Sequence, residues 1–488
     1  MGKKFMSLDF DPEELRRILY KTSDSVVDLF KGMRARKVFQ AGSPKDIRGL
    51  FSEPLPRDGA AFDDILEEIN EKVIANSTMS INPKFLAYFT GGASQAAIPA
   101  EMIAAALNQN MAKWHISPSA TELERQVIRW ICEFIGYPVT AGGCIISGGS
   151  QANFEGLAVA RKVQPQRLGL TDKKPLSDLL IYVSSEGHSS IEKAADVLGI
   201  GRENVIKIPP KDDHTIDCAK LRERIRADKE AGRTPFCVAG NAGTVNTGAV
   251  DPLDELAAIC AENNLWFHID AAYGGPAAGT EKAGAAFKGL EKGDSVTIDP
   301  HKWFYVPFEA GCLLVKDPAH LRETFRLLPD YLRSDVDKSE RFNYMEYTFE
   351  LTRSFKALKI WTTFKAYGAE ALRKAIEADI EKIHHLGGLI DKSEDFERLA
   401  PVQLSVVCFR YRTQDKTKWT DESYLDDLNR RILETVERDG RFFVTGTKVK
   451  GKTAIRVACM NHRTTCEDME SLLLILREFG VRNAKQQS

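Results

Sequence analysis

Between residues 81 and about 370 the chain repeats one pattern: a short apolar run without polar alternation, then a longer amphipathic stretch. GGCIIS precedes QANFEGLAVARK, DLLIYVS precedes SSIEKAADVLGI, PFCVAGN precedes DELAAICAENN, and LWFHID closes the series. A strand with no polar alternation is covered on both faces, and helices interleaved with such strands are what covers them. The sequence therefore predicts an α/β fold built on a mostly parallel sheet. In that architecture ligands bind beyond the carboxyl ends of the strands, so the residue after each apolar run carries the functional information.

The flanks read differently. Residues 1–80 are amphipathic and helical, with DPEELRRILYKTSDSVVDLF and DDILEEINEKVI placing apolar residues at three-to-four spacing. Such arms need a surface to cover, on their own domain or on a second subunit. Residues 371–488, with LSVVCFRYR, RFFVTGTKVK and KTAIRVACM separated by helical stretches, predict a smaller α+β domain after the large domain of 81–370. Lys+Arg 67 against Asp+Glu 69 leaves a formal net charge of -2, which gives no global reason to expect nucleic acid or an anionic membrane as partner. MGKKFMSLDFDPEEL turns acidic where a signal peptide needs its apolar core, and no run is long enough for a membrane span, so a cytoplasmic location is expected. The nine cysteines form no CxxC pair and several lie in apolar runs, which reads as reduced core residues with no metal site.

Four strand ends carry candidate chemistry. SGGSQAN (147–153) puts Gly149 and Ser150 before a helix, where small residues and free amides favour an anion, although a strand-to-helix turn alone also needs glycine. The stretch matches neither a Walker loop nor GxGxxG. LWFHIDAAYGG ends a buried strand with Asp270, a carboxylate that needs a cation or donor as partner. SVTIDPHKWF sets Lys302 beyond another strand, between His301 and Trp303, where a lysine can become a Schiff-base nucleophile. SSEGHSSIEKAA sets His188 at a fourth strand end. An anion cup, a buried acid, a lysine and a flat ring-sized side chain on one sheet edge match the needs of pyridoxal 5'-phosphate: its phosphate, its ring nitrogen, its aldehyde and its ring face.

With HSSIEKAA, HIDAAYGG and DPHKW in this order, the chain resembles the group II pyridoxal-phosphate-dependent decarboxylases, which include aromatic L-amino acid, tyrosine, histidine and glutamate decarboxylases; the similarity runs from NPKFLAYF at 82 to RVACMNHRTT at 456. The resemblance implies a fold type I enzyme, with a seven-stranded sheet sandwiched by helices and a homodimer sharing its cofactor sites across the interface. It implies Lys302 as the lysine bound to the cofactor, Asp270 as partner of the pyridine nitrogen, His188 stacked on the ring with Ala272 on the opposite face, and Gly149 and Ser150 at the phosphate. His301 beside the lysine and Thr244 in NAGTVNTGAVD are further cofactor contacts, and Asp251 is a weaker one. In the polar segment 327–353, a lid by analogy, counting back from Arg353 puts Tyr344 on the family's catalytic tyrosine, with Tyr347 as competitor.

By the same resemblance Tyr88, Phe89, Trp114 and Arg353 are substrate-side candidates. The expected activity is decarboxylation of an L-amino acid to an amine and CO2. An aromatic substrate such as tyrosine, DOPA or tryptophan comes first, and an acidic or other polar one, glutamate-like, second. An aldehyde synthase would share every cofactor residue, and a non-catalytic relative is the remaining alternative, against which Lys302, Asp270 and His188 all stand.

Overall fold

The computed structural model describes residues 8–40, 42–170, 178–327 and 341–485. Its larger sheet has seven strands: β1 (Gly142–Ile146), β2 (Leu179–Ser184), β3 (Val205–Ile208), β4 (Thr234–Asn241), β5 (Trp266–Asp270), β6 (Ser295–Ile298) and β7 (Gly311–Val315). Their order is β1-β7-β6-β5-β4-β2-β3. Pairing is parallel from β3 through β2, β4 and β5 to β6, while β7 runs antiparallel to both β6 and β1. Every residue of β2, β4, β5, β6 and β7 is buried, as strands covered on both faces must be.

Side-chain alternation along β5 decides which helix covers which face. A Cβ on Gly156 would meet the His268 ring at 2.8 Å, so helix Gly149–Arg167 lies on the His268 face. A Cβ on Gly240 would meet Leu256 at 2.9 Å and Phe267 at 3.2 Å, so helix Leu253–Asn263 lies on the other. Asp270, two residues after His268, shares the face of the first helix. That helix starts directly after β1, at the sheet edge where Asp270 ends β5.

The smaller sheet is wholly antiparallel, in the order β10-β11-β9-β8, from β8 (Phe396–Arg398), β9 (Val406–Tyr411), β10 (Thr445–Val449) and β11 (Lys452–Ala458). Ile383, Phe409, Ile432, Ile455 and Leu476 share its core. Helix Ala357–Asp391 runs from the larger unit into this core, broken at Gly368 by φ 76°, ψ 159°. Glycine takes that left-handed φ without a Cβ penalty. The boundary expected at 370 thus falls inside a helix, two residues past its break.

Helix Pro12–Gly32 is capped by Asp11, whose side chain accepts from Glu13 N. Only Ile18 of this helix is buried, and Leu15, Leu19, Tyr20 and Val27 are exposed. Helix Ala97–Leu107 is apolar on nearly every side and exposes Met102, Ile103 and Leu107. The two helices flank a groove of about 520 Å³ lined by Val26, Val27, Phe30, Ile98 and Met102. Among the described residues no helix is long and apolar enough to cross a membrane. The nine cysteines are free, eight of them buried, and burial pushes thiols such as Cys144 well above their ordinary pKa.

Candidate active site

The carboxyl ends of β1, β2, β4, β5 and β6 surround one cavity of about 530 Å³. Gly149, Ser150, His188, Thr244, Asp270, Ala272, His301, Lys302, Tyr88 and Phe89, all singled out from the sequence, line it together. Tyr344, Trp114, Arg353 and Asp251 do not.

The floor is the end of β5. Asp270 is 9% exposed; its Oδ2 accepts from Asn153 Nδ2 (2.8 Å) and its Oδ1 from Ala272 N (3.2 Å). The partner that the buried acid demanded is therefore an amide on the facing helix. At the end of β1, Ser147 Oγ donates to Gln151 Oε1 (2.6 Å) and closes the turn into helix Gly149–Arg167. A Cβ on Gly149 would meet Asp299 Oδ2 at 2.8 Å and the Ala272 Cβ at 3.0 Å. Glycine is required there because any side chain would fill the cup. The helix N-terminus presents free amides to the same space.

Lys302 follows β6 in the short helix Pro300–Trp303, and its Nζ lies 2.9 Å from Asp299 Oδ2. Asp299 is buried, and its Oδ1 has no hydrogen-bond partner. His301 Nδ1 accepts from Ala310 N (3.1 Å), and burial lowers its pKa, which favours the neutral ring. Behind the lysine, Trp303 stacks on Tyr273 (5.0 Å between centroids, 12°) and Tyr273 on Phe89 (3.8 Å, 15°). The fully buried Asp379 accepts from Trp303 Nε1 (3.2 Å), Tyr305 Oη (2.7 Å) and Lys382 Nζ (2.8 Å), so the segment that directly follows Lys302 is tied to the long helix.

The mouth is aromatic and open: Tyr88 is 58% exposed and Phe308 59%. Arg456 reaches the cavity from β11, its guanidinium 4.7 Å from the Phe89 ring centroid. It is 4% exposed, donates through Nε to Val245 O (2.8 Å), and leaves Nη2 without a partner.

Four of the residues singled out from the sequence stand outside this lining. Arg353 is buried against Glu124 (2.5 Å) and Ile145 O (2.7 Å), a structural ion pair behind β1. Tyr344 is buried beneath that guanidinium (4.3 Å), its hydroxyl has no partner, and burial raises its pKa well above the ordinary value. For Tyr344 to act in a cavity, its ring must leave Arg353. Trp114 donates from Nε1 to Glu122 Oε1 (3.1 Å), outside the lining. Asp251 accepts from Ile216 N, Asn241 N and Asn241 Nδ2, a sealed turn in which burial pushes its pKa up to about 6. Of the segment 327–353, residues 328–340 lie outside the described residues.

This geometry agrees with the comparisons. The model for the pyridoxal-dependent decarboxylase conserved domain matches residues 44–412. The chain belongs to this family. It is 31% identical over 475 residues to an aromatic-L-amino-acid decarboxylase of Bacillus atrophaeus, covering 97% of each chain. It is 32% identical over 463 residues to a phenylacetaldehyde synthase of Petunia hybrida, covering 92% of this chain and 90% of the relative. The crystal structure of Oryza sativa TDC with PLP and tryptamine superposes with a TM-score of 0.92 at 28% identity, covering 97% and 99% of the two chains.

As a pyridoxal-dependent decarboxylase the protein is a carboxy-lyase of fold type I whose cofactor is pyridoxal 5'-phosphate. The residues fit that cofactor: a cup that a Cβ would fill, a carboxylate under the floor and a primary amine open on the same space. The sequence reading missed Asn153, Asp299, Tyr273, Phe308 and Arg456. A lone arginine inside the apolar run TAIRVACM was the available signal for the last.

Proposed function

We propose that this decarboxylase acts on an aromatic L-amino acid such as tyrosine, DOPA or tryptophan, releasing CO2 and the amine. The observation that carries the reading is the joint opening of Lys302, Asp270, His188 and Arg456 on one cavity with Tyr88, Phe89 and Phe308 along its walls. The aromatic-L-amino-acid, tryptophan and tyrosine decarboxylases among its relatives support the substrate class. Pyridoxal phosphate, when bound, supplies an aldehyde for amines and a ring that accepts the electron pair left by departing CO2.

Within this proposal the amides at Gly149 and Ser150 hold the phosphate, Asp270 accepts a hydrogen bond from the ring nitrogen, and His188 and Ala272 enclose the ring. Thr244 and His301 close its sides, and Lys302 Nζ is the amine for the aldehyde. Arg456 Nη2 receives the substrate carboxylate, because it is an unpaired donor on a buried cation in the cavity wall. The aromatic rim takes the side chain. Tyr344 is the proposed proton donor to Cα, released from its seat on Arg353. The same set without that proton transfer would suit an aldehyde synthase, as in the Petunia hybrida relative.

A homodimer in which a second copy covers the exposed faces of helices Pro12–Gly32 and Ala97–Leu107 belongs to this reading, as does a cytoplasmic location. Assay of purified, cofactor-loaded protein against the twenty amino acids, measuring CO2, amine, aldehyde and peroxide together, tests it. CO2 with stoichiometric amine from tyrosine, DOPA or tryptophan is expected. Release from glutamate alone, or aldehyde with peroxide, would overturn it.

A further inference from the structure

We propose that Asn153 and Ser190 are positioning residues that hold His188 as a single tautomer, protonated on Nε2, through the same amide that orients Asp270. The inference deepens the decarboxylase reading and rests on it for its catalytic consequence. A carboxylate only accepts hydrogen bonds, so the Asn153 atom 2.8 Å from Asp270 Oδ2 must be the amide nitrogen. The second hydrogen of that NH2 group is directed to Ser190 Oγ, also at 2.8 Å. Ser190 Oγ therefore accepts from Asn153 and keeps its own hydrogen available to His188 Nδ1 at 2.8 Å. The backbone N–H of Ser190 donates to the same Nδ1 (3.2 Å). A ring nitrogen that receives two donors is the one without a proton, which leaves the proton of the neutral ring on Nε2.

The carbonyl end of Asn153 is fixed with equal rigour. Its Oδ1 accepts from Thr297 Oγ1 (2.7 Å) and from His268 Nε2 (2.9 Å), while His268 Nδ1 takes the Ser295 hydroxyl (2.8 Å). Burial lowers the pKa of His268, consistent with the neutral ring this pattern needs. Two donors and two acceptor directions of Asn153 are thus all engaged, and the amide cannot turn over without setting like against like. An amide passes no proton, so Asp270 and His188 share an orienting group and no relay. His188 presents the cavity with an N–H, as a donor.

Histidine-selective nitrogen-15 labelling with long-range proton–nitrogen correlation reads the tautomer of each neutral ring directly. The His188 signals, identified by their loss in His188→Gln, are expected to show the Nε2–H pattern with and without added pyridoxal phosphate. Ser190→Ala should mix the two patterns and lower kcat about tenfold with KM within about twofold, the scale of one lost hydrogen bond. Ser190→Thr keeps the hydroxyl and should restore both readouts. An Nδ1–H pattern in the unmodified protein, or an unchanged pattern in Ser190→Ala, overturns the proposal. An unmodified protein that shows the Nε2–H pattern and releases no CO2 from any amino acid supports the positioning role and fails the decarboxylase reading, so the two can be separated.

Discussion

Floor and mouth of the same cavity are built on opposite terms. Around Asp270 the side chains of Asn153, His268, Thr297 and Ser190 have their partners inside the chain. Around the rim, Tyr88 and Phe308 stand in solvent and Arg456 keeps an unmatched Nη2. A buried polar group left unpaired costs about 1–3 kcal/mol, so it persists where something else will pair with it. The difference separates a region set for the cofactor before anything arrives from one left open for the substrate.

Five substitutions probe that contrast. Lys302→Ala should have the largest effect, abolishing the visible absorbance of the loaded protein and lowering kcat/KM by more than about 10³-fold. A retained band would move the cofactor to another residue. At the rim, Arg456→Gln should raise KM for the amino acid about 10- to 100-fold with a smaller change in kcat, the mark of a lost ground-state ion pair. An equal fall in kcat would put Arg456 with the floor.

Tyr344→Phe should lower the yield of amine about tenfold and favour aldehyde, while the thermal midpoint rises because an unpaired buried hydroxyl is removed. Product diversion by Tyr347→Phe instead would shift the assignment by three residues. The smallest effect concerns pH. Burial holds His268 below the ordinary imidazole value of about 6.5, so the stability it contributes is present above that pH and is lost as pH falls through it toward the lowered folded value. The midpoint of the unmodified protein should therefore drop more steeply between pH 7 and pH 5 than that of His268→Gln. Parallel curves would mean that the floor tolerates a charged imidazole.

Much of this was legible in the residues. Apolar runs such as LLIYVS and TPFCVAGN announce strands buried on both faces, and the residue after each run is where Lys302, Asp270 and His188 stand. The direction of β7 was not legible, because GCLLV reads alike either way. The connection from Asp299 to Ala310 holds only the single helical turn Pro300–Trp303, and the chain returns antiparallel. Asp251 and Asp270 look equivalent in sequence, each closing an apolar segment, and only the surrounding donors separate a sealed turn from a cavity floor. Asn153 and Asp299 sit beside residues with louder motifs, and their importance lies in partners 117 and 3 positions away. Trp114 and Arg353 fell outside the cavity because chain neighbourhood is not spatial neighbourhood: Arg353 is bound to Glu124 on helix Pro118–Ile135.

The stack that backs Lys302 also makes the molecule its own optical gauge. Of six tryptophans, Trp303 adjoins the cavity lysine and is fully buried, with its ring parallel to Tyr273 and its N–H held by Asp379. An indole so fixed loses its excitation to a nearby chromophore with an efficiency that falls steeply with distance. Its emission therefore reports how fully a preparation is loaded, in solution and without consuming substrate.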